Sequence, residues 1–272
     1  MIDRSVSGPA FNPVQGIGEQ IGQRMPARRV LRAYLLEMRY ECLRYLRTPS
    51  FILPTLLFPT VFYLLFGIFL AHSNGADATR YLLASYLTFG VMAPGLFGFG
   101  VSLALERDGG LLTFKRALPM PPGAYLLAKM AMAMVVAGAI SLLLLGMALW
   151  LAHAPLNPTQ VLAVLASGLL GVLPFCAMGL LLGSLIKGQG APGMVNLVYL
   201  PMSFLSGLWF PLSMLPGFLQ RIAPLWPSYH LDQLALQAVG LSRAAAWPHL
   251  LVLLGVTLAF LGLAARRLRR YG

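Results

Sequence analysis

The sequence predicts an all-α polytopic membrane protein. It has six transmembrane helices, an N-terminal amphipathic interfacial helix, and a re-entrant helical segment in the outer leaflet before the last span. Three observations predict this class. Of 272 residues, 58% are hydrophobic and only 10% charged, with a mean hydropathy of +0.75, whereas a soluble domain carries roughly a quarter charged residues. Several apolar runs reach the roughly 20 residues needed to cross the hydrocarbon core. Charge is also unequally shared between alternate connections. With both termini inside, seventeen Lys and Arg fall on the inner side and three (Arg80, Arg221, Arg243) on the outer, the positive-inside asymmetry.

Taken in order, residues 1–27 are polar, contain Gly and Pro, and show no apolar signal-peptide run, so they read as a flexible cytoplasmic leader. Residues 28–48 form the amphipathic helix: Leu31, Leu35, Met38, Cys42 and Leu46 recur at 3- and 4-residue steps, Arg29, Arg32, Arg39, Arg44 and Arg47 lie mainly away from them, and Thr48-Pro49 ends the pattern. Such a helix lies along the inner membrane surface, as an anchor or as a docking element.

Residues 49–272 hold the spans, expected at Phe51–Ala71, Tyr81–Leu105, Ala124–Ala152, Thr159–Ile186, Pro192–Phe210 and Ala244–Ala265. Pro54, Pro59, Pro94, Pro174 and Pro201 fall inside them, which a membrane bundle tolerates because neighbouring helices satisfy the freed carbonyls. Residues 211–243 are apolar but broken by Pro211, Pro216, Pro224 and Pro227, with Trp209, Trp226 and Tyr229 as interfacial belt residues. Two short helices dipping into the outer leaflet fit this segment. Gly179 and Gly183 form a GxxxG spacing after Gly168 and Gly171, which permits close helix approach, a dimer contact included. Cys42 and Cys176 lie too far apart in this topology for a disulfide and read as small apolar fillers.

Ionisable groups at membrane depth are expensive and mark function. The eight acids (Asp3, Glu19, Glu37, Glu41, Asp77, Glu106, Asp108, Asp232) all read as lying at span ends or in loops, and His72, His153, His230 and His249 have no ligand spacing. There is no HExxH, GxSxG or GxxxxGK[ST] motif. "GSLIKGQGAPG" around Lys187 has the wrong spacing for a phosphate loop and reads as a tight cytoplasmic turn. A membrane enzyme is disfavoured, and the chain is expected to bind no cofactor, nucleotide or metal. The net charge of +12 follows topology and suits anionic lipid headgroups, not nucleic acid.

One stretch departs from this apolar pattern. "ALERDGGLLTFKRALPMPPGAYLLAK", Ala104 to Lys129, concentrates Glu106, Arg107, Asp108, Lys115, Arg116 and Lys129 between two spans. Within the loop 104–123, Leu111, Leu112 and Phe114 would supply apolar anchors for a soluble partner, Glu106, Arg107, Lys115 and Arg116 a charged rim, and Pro119–Pro122 a stiff return. A solvated, positively charged inner loop is the alternative reading.

The residues Glu106, Arg107, Gly110, Leu112, Arg116, Leu118, Pro119 and Lys129 resemble the loop of the type-2 permeases of ATP-binding-cassette exporters. Leu43–Gly67 resembles that family's passage from amphipathic helix into the first span, and Asn196–Gly240 its fifth span and following re-entrant element. Beyond the leader, the resemblance covers nearly the whole chain. It implies a permease subunit that forms a homodimer with a second permease chain above two copies of an ATPase subunit that holds ATP and Mg. The loop with Glu106, Arg107, Leu111, Leu112, Phe114, Lys115 and Arg116 would be the coupling helix. The helix with Arg28, Arg32, Arg39 and Arg44 would be the connecting helix. Substrate would pass along Phe97, Phe99, Asn196, Tyr199, Ser203 and Phe204, whose apolar, aromatic character favours an amphipathic, lipid-like or drug-like molecule, with a glycan as the other class. The location implied is the inner membrane. A passive channel, an ion-coupled carrier or a membrane scaffold would need no ATPase.

Overall fold

The computed structural model describes residues 27–70, 75–117 and 123–271. The leader and the Pro119–Pro122 return lie outside them, apart from the leader's last residue, Ala27. Among the described residues all regular structure is helical. Helix α1 (Ala27–Leu46) precedes α2 (Pro49–Phe62), which runs on as a π-helical stretch, Tyr63–Leu70. Helix α3 (Ala76–Ala93) continues through a second π-helical stretch, Pro94–Val101, into α4 (Ser102–Asp108). After α5 (Leu111–Ala117) come α6 (Ala124–Trp150) and α7 (Pro158–Leu185), then α8 (Ala191–Leu205). The short α9 (Gly217–Ile222) and α10 (Pro227–Ala238) precede the last helix, α11 (Ala246–Tyr271).

Among the described residues five helices are long and apolar enough to cross a membrane: Pro49–Leu70, Asp77–Asp108, Ala124–Trp150, Pro158–Leu185 and Ala246–Arg267. The span expected at Pro192–Phe210 is a shorter helix. It stops at Leu205 because Gly207 turns the chain with φ +85, a left-handed conformation that glycine adopts without Cβ strain.

The continuous rod α3–α4 forms the centre. Leu83, Leu87, Met92, Leu96 and Phe99 from the rod pack with Met132, Ile140 and Leu144 of α6 and Phe175 of α7, all essentially inaccessible. Helices α2 and α11 lie at the periphery and turn Leu53, Leu57, Leu250, Leu254 and Leu258 outward, as lipid-facing surfaces do.

Pro94 has no N–H, so the ladder loses a donor there and the register slips to π. Four glycines exploit the rearranged backbone. A Cβ on Gly179 would stand 2.3 Å from the Gly95 carbonyl oxygen, and one on Gly183 2.4 Å from that of Gly100. The GxxxG pair therefore seats α7 on the chain's own central rod and is not free for a dimer contact.

Candidate functional site

The charged end of the bundle carries the most distinctive chemistry. Helix α1 presents Glu37, Glu41 and Tyr45 at four-residue spacing to the rest of the chain, while Leu31, Leu35 and Leu46 of its leucine stripe face outward. Tyr45 reaches Thr55 of α2, hydroxyl to hydroxyl, at 3.0 Å. Glu41 is buried and faces two lysines: Lys115 of α5 donates to its Oε1 at 2.9 Å, and Lys129 of α6 to its Oε2 at 3.2 Å. Lys115 also pairs with Glu37. Lys129 Nζ, only 1% exposed, donates in addition to Glu106 Oε1 at 2.8 Å and Ser102 Oγ at 2.8 Å. Glu106 accepts further bonds from Arg44 at 2.6 Å and from the Tyr125 hydroxyl. Three carboxylates thus meet three cations across α1, α4, α5 and α6, with the Lys115 ammonium 4.4 Å over the Tyr125 ring.

A cluster this buried stands only because every member is answered, since an unpaired charge there would cost several kcal/mol. Burial alone would raise the Glu41 carboxyl, but Lys129 and Lys115 outweigh it and hold it below the ordinary glutamate range. Burial alone would lower Lys115; its bonds to Glu37 and Glu41 reverse that and raise it.

The two residues after Glu106 secure the neighbouring helix end. The last carbonyls of an α-helix have no intrahelical partner. Arg107 donates to those of Gly183 at 3.1 Å, Ser184 at 2.6 Å and Ile186 at 2.7 Å, and Asp108 accepts from the Gly188 amide at 2.6 Å. The tripeptide Glu106–Asp108 therefore faces three ways, toward α1 and α6, toward the end of α7, and toward the turn leading to α8.

These contacts revise the sequence reading of the loop. Glu106 and Arg107 do not form an outward rim but are turned into the chain, and Lys115 is held between α1 and the Tyr125 ring of α6. Leu111 and Leu112 are half-buried, whereas Phe114 is 62% exposed. Arg116 lies on α5, its side chain outside the described residues. On α1, Arg28, Arg32 and Arg39 are exposed, and Arg44 alone of the four named arginines bonds Glu106. Glu37, Glu41, Tyr125 and Lys129 were not identified as site residues from sequence. The four-residue step Glu37-Glu41-Tyr45, on the side away from the leucine stripe, was the available signal. Lys129 and Glu106 are buried near span ends, and Asp232 is buried in α10 outside the spans.

A second feature is a groove of about 790 Å³ between α2, α3 and α8. Pro54 and Phe58 line it from α2, Phe89 from α3, and Asn196 and Tyr199 from α8, with Phe97 and Trp209. The Tyr199 hydroxyl donates to the Phe89 carbonyl at 3.0 Å, and its ring meets Phe97 edge-on at 5.3 Å. Of the six expected path residues, Phe97, Asn196 and Tyr199 come together here. Phe99 is buried in the core, Ser203 is buried and accepts from Trp209 Nε1 at 3.2 Å, and Phe204 packs edge-on against Phe210.

The comparisons agree with this architecture. A family model described as ABC-2 type transporter matches residues 32–239. The chain is 29% identical over 234 residues to "Putative transport permease YvfS" of Bacillus subtilis (strain 168), covering 85% of this chain and 94% of that protein. It is 28% identical over 178 residues to "Inner membrane transport permease YhhJ" of Escherichia coli (strain K12), covering 63% of this chain and 46% of that protein. The chain, a multi-pass membrane protein in which α1, α4, α5 and α6 are locked together by buried charge, belongs to the ABC-2 type transporter family.

Proposed function

We propose that this chain is the permease subunit of an ATP-driven exporter, worked by a separate ATPase subunit that carries ATP and Mg. The observation that carries the reading is the position of α5. It exposes Phe114 while Lys115, the next residue, is fixed through Glu37 and Glu41 to α1, and α1 through Glu41 and Arg44 to α6 and α4. A push on Phe114 from a soluble partner would reach the ends of two spanning helices through ion pairs, without crossing a flexible joint. In this reading α5 is the coupling helix and α1 the connecting helix. The charged end faces the cytoplasm, both termini lie there, and the membrane is the inner membrane.

The reading also needs a sixth crossing. Helix α8 begins beside Asp108 at the charged end and is followed by Gly207, whose carbonyl accepts from Tyr81 near the start of α3. Its 15 residues cover about 22 Å, and the following irregular segment would complete the passage. Helices α9 and α10 would then form the re-entrant element at the outer side. The substrate is an amphipathic or lipid-like molecule that uses the groove between α2, α3 and α8, and two copies of the chain pair to complete the path.

The first experiment is a gentle-detergent purification of the full chain from its native membrane, followed by identification of co-purifying chains and an ATP hydrolysis assay. A stoichiometric partner with a phosphate-loop motif is expected. Phe114→Asp, at an exposed position, is expected to lower partner retention and stimulated ATPase at least severalfold while leaving the permease melting temperature unchanged. A chain that purifies alone, or full coupling in the Phe114→Asp variant, overturns the assignment.

A further inference from the structure

Helix α10 carries a carboxyl group that the reading above does not use. Asp232 is 2% exposed, and its Oδ1 has no hydrogen-bond partner among the described residues. Ser85 on the facing side of α3 is 0% exposed, and its Oγ is likewise unpartnered. Among the described residues no cation pairs with the carboxyl. Arg80 is committed to Asp77 and, at 3.4 Å, to the Val239 carbonyl, and no Lys, Arg or His lies within ion-pair distance of Asp232 among the described residues.

The other titratable groups around α10 are accounted for. Among the described residues of α3 they are Asp77, Arg80, Tyr81, which donates to the Gly207 carbonyl at 3.3 Å, and Tyr86, whose ring packs on Phe62. From α11 there is His249, which meets His230 Nδ1 to Nδ1 at 2.9 Å. His230 Nε2 donates to the Pro224 carbonyl at 2.8 Å, so its Nδ1 accepts and His249 donates, a pairing complete without Asp232. Packed helix α7 contributes only the buried Cys176.

An isolated carboxylate in such surroundings is unfavourable by several kcal/mol and takes a proton instead. We propose that Asp232 is a proton-binding site, occupied at neutral pH when α10 is docked on α3 and emptied when α10 separates from it. The ligand is the proton: a bond from the Ser85 hydroxyl would favour the charged form, but burial outweighs it, and the neutral acid adds an O–H that Ser85 Oγ can accept. Burial pushes this carboxyl up to about 8 from an ordinary value near 3.8. The docked form therefore binds the proton more tightly than the undocked form. Docking is strongest below the ordinary value and weakens as pH rises toward and through 8. This inference does not depend on the ATP-driven reading and holds for any transport mode.

The test is infrared spectroscopy of the full chain in lipid nanodiscs across a pH series, together with hydrogen exchange of the α10 amides. A carbonyl stretch of a protonated carboxylic acid is expected at pH 7, absent in Asp232→Asn and lost as pH is raised past 8. Ser85→Ala should shift that band without removing it. After correction for intrinsic exchange, α10 of the wild type should loosen severalfold over that pH range and α10 of Asp232→Asn should not. If Asp232→Asn fails to fold, the wild-type band and its displacement by Ser85→Ala still decide. Absence of any protonated carboxyl band at pH 7, or a band unaffected by both substitutions, overturns the proposal.

Discussion

At Lys129 one ammonium answers two carboxylates, Glu106 at 2.8 Å and Glu41 at 3.2 Å, in a space where it is 1% exposed. The net worth of such a group relative to an apolar core is small, but removing one member strands the others. Lys129→Met is expected to destabilise the chain by about 3–5 kcal/mol, read as a fall in melting temperature in detergent. Combining it with Glu106→Gln should recover part of that loss, and the double-mutant cycle measures the coupling. Equal losses that simply add would show that the two side chains act independently. The sequence showed Lys129 as a charge at the opening of a span. Its partners lie 23 and 88 positions away, and no periodicity links residues that distant. Glu37 and Glu41 were within reach of sequence reasoning, since they share a helix face.

Helix α1 is tied to α5 and α6 through the ion pairs of Glu37 and Glu41, so this part of its attachment depends on pH in a defined direction. Glu41 is held below its ordinary value, so its contribution is present above that value and is lost as pH falls through the lowered one. Lys115 is raised, so its contribution is complete below its ordinary value and is lost only as pH rises through the raised one. Spin labels at Arg39 and Leu127 should report an unchanged distance through the neutral range and a broadened one in acid, with Glu41→Gln broadened already at pH 7. A distance indifferent to acid would show that apolar packing holds α1.

The π-stretch and α7 meet through glycine instead. Gly179→Val drives a side chain into the Gly95 carbonyl, 2.3 Å from the first added carbon, and should cost about 1–3 kcal/mol or more. Gly146→Ala in α6, where nothing lies within 4 Å of an added Cβ, should instead gain up to roughly 1 kcal/mol. Five long apolar helices were readable because each carries its own run of hydrophobic residues. The end of α8 was not, because a single glycine within an apolar run does not declare a left-handed turn, and the burial of the GxxxG face was not, because it depends on what the helix meets.

For the whole molecule, two apolar surfaces differ in shape. The outward leucines of α2 and α11 cover the perimeter, while Phe97, Asn196 and Tyr199 line a groove that opens between α2, α3 and α8. Sequence placed Phe97 and Phe99 together as path residues, two positions apart on one helix. In the folded chain Phe97 reaches the groove, and Phe99, 1% exposed, belongs to the core. Their substitutions should therefore fail differently. Phe99→Ala removes a buried ring and should cost about 3–5 kcal/mol of stability, lowering transport only in proportion to folded protein. Asn196→Trp adds bulk at an exposed groove position and should leave the melting temperature unchanged while reducing transport per folded chain at least severalfold. Both are measured in proteoliposomes, with transport normalised to the folded fraction. If Asn196→Trp transports normally, the groove is not the route, and the path must be sought along another face of α8. If Phe99→Ala loses transport while keeping its melting temperature, the ring acts on substrate and not as core.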